Sequence, residues 1–154
     1  MPLLCYGTLA GGFFTDRWLG VAEPTIEDLA DIGNRSLVKY KLVIDDWGGW
    51  DAFQSLLEAL QAIGARHGGA SIATVAARWV LDRPGVAAAI VGSRYADHLD
   101  ETLAVFAIRL DAHDHALLQP ILAAHRGPEG DTYALERDKA GRHGRIMKYK
   151  LNKT

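Results

Sequence analysis

Cysteine is almost missing from this chain. Cys5 is the single one in 154 residues, which excludes an internal disulfide and fits a reducing compartment. It lies in an apolar run with no Lys, Arg or His beside it to lower its pKa, so it reads as a small buried hydrophobe and not as a nucleophile. No apolar run approaches the roughly 18 to 20 residues that span a bilayer, and the apolar start is too short, and lacks the basic residues, for a signal peptide. Neither sign of charge dominates: the formal charge of −2 gives no overall attraction to nucleic acid or to an anionic membrane, and neither is expected as a partner. Internal repeats, low-complexity segments, a phosphate-cradling P-loop, the GxGxxG dinucleotide fingerprint, zinc-ligand spacing and Ser-His-Asp or Cys-His arrangements are all absent. What is present is 49% hydrophobic and 23% charged residues, the balance of one soluble globular domain, with the cytoplasm as its expected location.

The pattern along the chain is of a βα type. Leu3 to Tyr6 reads as a short buried strand stopped by Gly7, after which Gly11-Gly12 permit a tight turn or a close approach of backbone. Residues 13 to 49 read as a long irregular connection, broken by a possible short helix after Pro24 and by a turn at Trp47-Gly48-Gly49-Trp50. From Asp51 the spacing of Phe53, Leu56, Leu57, Leu60 and Ile63 predicts a helix that ends at Gly68-Gly69, and Ser71 then caps a second with Ile72, Val75, Ala76, Trp79 and Val80 inward. The run Val86 to Val91, with no polar alternation, reads as a strand covered on both faces in a parallel sheet. A helix from Ala96 to Phe106 with Leu99, Leu103 and Phe106 inward follows, then one capped by Asp111 and running to about His125. Two parallel strands cannot build a sheet covered on both faces, so the architecture looks incomplete. Residues 1–135 form the main unit, and 136–154 a basic tail expected to be solvated.

Two turns stand out as sites. Ile90-Val91-Gly92-Ser93-Arg94 ends a strand and feeds a helix, an arrangement that aims backbone N–H groups and a helix dipole at one spot, with Arg94 able to grip a phosphate bidentately. The turn Tyr6-Gly7-Thr8-Leu9-Ala10-Gly11-Gly12 is a second strand end of the same kind, suited equally to a packed tyrosine or to lining a ligand. His113 and His115, flanked by Asp111 and Asp114, project about 200° apart on a helix and cannot share one ion, so no metal is expected. His67 and His125 sit near helix C-termini and read as caps, and the four tryptophans read as core or loop anchors.

Taken together, YGTLAGGF, RWVLDRPGVAAAIVGSR, HLDET and GDTYALERD resemble the C-terminal portion of the aldo-keto reductases, NADP-dependent enzymes on a (β/α)8 barrel, over roughly residues 3 to 137. The resemblance implies an incomplete TIM barrel: strands seven and eight at Leu3 to Tyr6 and Val86 to Val91, their helices, and the extra C-terminal helix. It implies NADP as cofactor. Tyr6 would stack on the nicotinamide ring, with Gly7, Thr8 and Leu9 beside the pyrophosphate. Gly92, Ser93 and Arg94 form the turn whose Ser and Arg would take the adenosine 2′-phosphate, as the last two strand loops commonly do in such barrels. His98 stands where many relatives have Arg or Gln, and Glu101 and Thr102 where Glu and Asn hold the adenine. The loop 13–49 would be an insertion over the barrel mouth. The family's catalytic Asp, Tyr, Lys and His lie in earlier strands, and none is matched here: around Tyr6, Met1 and Ala10 stand where the catalytic tyrosine's motif has Asp and Glu. The expectation is the NADP-binding end of a carbonyl-reducing barrel, truncated or encoded apart from its catalytic part and inactive alone. Its exposed strand edges would pair with a second copy or with a complementary barrel fragment. A non-catalytic nucleotide-binding module, or a degenerate product, is the alternative.

Overall fold

The computed structural model describes residues 1–92 and 99–147. Strand β1 (Leu3–Tyr6) lies parallel to β2 (Val86–Ile90), in a register that pairs Leu3 with Val86 and Tyr6 with Ile90 and slips by one residue after Leu3. The connection between them carries four helices: α1 (Ile26–Asp31), α2 (Arg35–Trp47), α3 (Gly49–Arg66) and α4 (Ile72–Leu81). After β2 come α5 (Leu99–Leu103), a 3₁₀ turn at Ala104–Phe106, α6 (Ala112–Ala124), α7 (Thr132–Arg137) and α8 (Arg142–Arg145).

The long helix α3 organises the core. Its apolar stripe, Phe53, Leu56, Leu57, Leu60 and Ile63, is buried, and α2, α4 and α6 all pack against it. The expected caps hold: Ser71 Oγ accepts from the Thr74 N–H at 3.2 Å, while Asp111 Oδ1 accepts from the N–H groups of His113 and Asp114 at 2.8 and 2.9 Å. Asp114 returns the bond to the Asp111 N–H at 2.9 Å, closing a capping box. His67 and His125 do end their helices, His67 with Nε2 2.7 Å from Asp114 and His125 with its ring tilted on Trp47.

Segment 13–49 is the largest departure from the sequence reading, because it is helical and cored, not irregular. Phe13, Trp18, Trp50 and Phe53 form one buried aromatic cluster with ring centroids 4.9 to 6.2 Å apart. Trp18 Nε1 donates to Gly12 O at 3.0 Å and Trp50 Nε1 to Val21 O at 2.9 Å, so both indoles anchor loop backbone. Helix α2 starts where the Asn34 side chain accepts from the Ser36 N–H at 3.1 Å. Its buried stripe is Leu37, Lys41, Leu42 and Ile44. The lysine in the middle hides the helical period, and it is tolerated because Asp45 and Glu23 take its ammonium at 2.5 and 2.7 Å.

Three further expectations change. Among the described residues β1 is the one strand partner of β2, which is not covered on both faces: Ile90 is exposed, as are Leu3, Leu4 and Tyr6, and Cys5 is only partly buried. Leu99, Leu103 and Phe106 point out and Val105 points in, since the chain tightens into a 3₁₀ turn at Ala104 and shifts the inward face. The basic tail, described as far as Met147, is folded onto α2 and not simply solvated. Arg142 Nη2 meets Asp46 at 2.9 Å and the Leu42 carbonyl at 3.0 Å, His143 Nε2 meets Asp46 at 2.6 Å, and Arg35 donates to the Ile146 carbonyl at 2.7 Å.

Candidate functional site

The two turns singled out in the sequence leave the same end of the sheet, because parallel neighbours in register present their C-terminal ends together. After β1 the backbone is tightly wound: Gly7 has φ 70°, and Ala10, buried, has φ 47°. Among the described residues Ala10 is the one non-glycine with positive φ, a conformation that costs an alanine about 1 kcal/mol or more. The aromatic cluster holds it there, through the Phe13 N–H donating to the Ala10 carbonyl at 3.2 Å and the Trp18 indole on Gly12.

Beside that turn a cavity of about 550 Å³ opens between β2, α4 and α5. It brings together Leu9 from the first turn, Gly92 from the second, and Glu101 and Thr102 from α5. Thr74 and Phe106, which the sequence reading missed, line it as well, and Thr74 Oγ1 donates to the Glu101 carbonyl at 3.4 Å. Its lining is mainly apolar, with Thr15, Thr74, Glu101 and Thr102 as the polar residues. A mainly apolar lining with a few polar groups is the usual composition of a small-molecule pocket.

Tyr6, Gly7 and Thr8 are outside the cavity wall. Tyr6 is 79% exposed, with its ring free for stacking. The Thr8 hydroxyl is buried with no hydrogen-bond partner, the single such side-chain atom among the described residues. A buried unpaired hydroxyl is unfavourable by about 1 to 3 kcal/mol and marks a place where a polar partner is wanted. Ser93, Arg94 and His98 lie outside the described residues. Among the described residues no three His, Cys, Asp or Glu side chains gather as a metal site. No described helix is long and apolar enough to cross a membrane.

Tyr40, which the sequence analysis did not single out, reaches the first turn. Its α2 position brings the phenol onto the backbone of Gly7, where a Cβ would overlap its hydroxyl. The signal for it was helical spacing in 35–47, which Lys41 masks.

No curated protein matches the chain. The family model described as "Aldo/keto reductase family" matches residues 1–123 of the 154. The match runs from β1 through α6, taking in both turns, the cavity and nearly all of the core. With two adjacent parallel strands in an α/β arrangement compatible with an incomplete barrel, the chain belongs to the aldo/keto reductase family, oxidoreductases that generally use NAD(P)H.

Proposed function

We propose that this chain carries the NADP-binding end of an aldo-keto reductase barrel, and that carbonyl reduction needs residues beyond these 154. The observation that carries the reading is the cavity shared by Leu9, Gly92, Glu101 and Thr102, at the C-terminal ends of two parallel strands. That is the end of a barrel where ligands bind, and the last two strand loops are its usual phosphate site. The residues fit a dinucleotide. Glu101 and Thr102 at an apolar cavity suit an adenine, the orphaned Thr8 hydroxyl suits an oxyanion, and the exposed Tyr6 ring suits a nicotinamide face. Ser93 and Arg94 are assigned the 2′-phosphate by resemblance, with Arg94 as the planar cation such a group prefers. When bound, the cofactor supplies a hydride. What these residues would supply is its position, Glu101 and Thr102 at the adenine and Tyr6 at the nicotinamide.

By resemblance no side chain here stands in for the family's proton donor, since Met1 and Ala10 take the places of the Asp and Glu around its tyrosine. The chain alone should therefore bind the cofactor without turning over. Titrating NADPH and NADH against tryptophan fluorescence should show tighter binding of NADPH, with Arg94→Ala removing the preference. Equal affinities in the unaltered protein, or NADPH-dependent reduction of an aldehyde panel by the purified chain, would overturn the proposal.

A further inference from the structure

Helix α2 lies directly on the β1 turn. A Cβ on Gly7 would overlap the Tyr40 hydroxyl, and a Cβ on Gly11 would come to 2.7 Å from Ser36 Cβ and 3.0 Å from Tyr40 Cδ2. Glycine at both positions is what lets a helix approach the backbone this closely. Asn34, the α2 cap, holds the contact by donating from Nδ2 to the Gly11 carbonyl at 3.0 Å. The Tyr40 phenol is thereby delivered to the end of β1, where it is half-buried and makes no hydrogen bond to another described residue. Burial raises its pKa, with Tyr6 and Glu136 acting in the same sense and Lys39 against it. It is a neutral donor at any physiological pH, held beside the backbone of Gly7, the residue before Thr8.

We propose that Tyr40 is a ligand-binding residue of this site, its hydroxyl donating to a phosphate oxygen where the dinucleotide's diphosphate passes the β1 turn. The inference rests on the cofactor reading above and extends it to α2, an element outside the motifs that carry the family resemblance. It also gives segment 13–49 a role: the aromatic cluster and Asn34 anchor a helix whose task at the turn is to present one phenol.

Tyr40→Phe is the test, because it removes an oxygen that no described residue needs and leaves the ring that packs on Gly11. Fluorescence titrations with NADPH and with adenosine 2′-monophosphate, which has no diphosphate, read the contact. A hydrogen bond to a charged oxygen predicts NADPH binding weaker by about tenfold, with adenosine 2′-monophosphate affinity and the melting midpoint unchanged. Unchanged NADPH affinity in the variant, or an equal loss for both ligands, overturns the role of Tyr40 while leaving the cofactor reading standing. Failure of the unaltered protein to bind either ligand overturns the cofactor reading, and this inference with it.

Discussion

Asp114 has no exposed side-chain surface, yet it is charged. Burial pushes its pKa up, and the Asp111 N–H, His67 and Arg66 outweigh that and hold it below the ordinary 3.8. Asp111 is held lower still, chiefly by its bond with Arg66 and then by the Asp114 N–H. These four side chains bind the C-terminus of α3 to the N-terminus of α6. Both carboxyls have folded pKa values below their unfolded ones, so their stabilisation is complete above about pH 4 and is lost as pH falls through the folded values. Asp114→Asn keeps the shape and removes the charge. We expect it to cost about 1 to 3 kcal/mol at pH 7 and to flatten the acid dependence, read as denaturant midpoints at pH 7, 5 and 3. A variant with the wild-type midpoint and the wild-type acid slope would show that the cluster is ornamental.

At the scale of elements, what could be read from sequence was what local chemistry decides. Ser71 and Asp111 announce their helices because an N-cap needs a side-chain acceptor wherever it occurs, and the α3 stripe announces itself by period. Helix α2 was hidden because a lysine occupies one of its core positions, and only the distant Glu23 and neighbouring Asp45 make that acceptable. The outward turn of Leu99, Leu103 and Phe106 likewise depends on a 3₁₀ tightening that no residue in the segment signals. Of the site, the two turns were legible as glycine-rich strand ends. Tyr40 was not, since its place there follows from the packing of α2. The docking of the tail is a tertiary event of the same kind, with Arg142 and His143 meeting on Asp46 near the end of α2. Asp46→Ala should free α8, and tryptic cleavage after Arg142 should then be markedly faster while the global melt changes by less than about 1 kcal/mol. An unchanged cleavage rate would mean that the Arg142 bond to the Leu42 carbonyl and the Arg35 bond to Ile146 hold α8 without the ion pairs.

For the molecule as a whole, the sheet is the weak point. Two parallel strands leave two edges, each a row of backbone groups without a strand partner among the described residues, and a two-stranded sheet is marginal in water. Apolar side chains crowd this region: Leu3, Leu4 and Ile90 on the strands, with Leu99, Leu103 and Phe106 exposed on the segment that follows β2. By contrast α3 and its neighbours have a closed core, so the helical part should stay folded whatever happens at the strands. Isolated surface leucines are ordinary, but a cluster beside open strand edges has the character of an interface. We therefore expect the purified chain to self-associate, with the apparent mass in sedimentation velocity rising with concentration. Leu4→Lys places a charge on the exposed part of β1, where it has nothing to bury against and so little to destabilise. It should shift the distribution toward monomer and leave the thermal midpoint at low concentration where it was. A wild-type protein that sediments as a monomer across the whole range and melts cooperatively would show that the edges are protected in solution. In that case the exposed leucines are no docking surface.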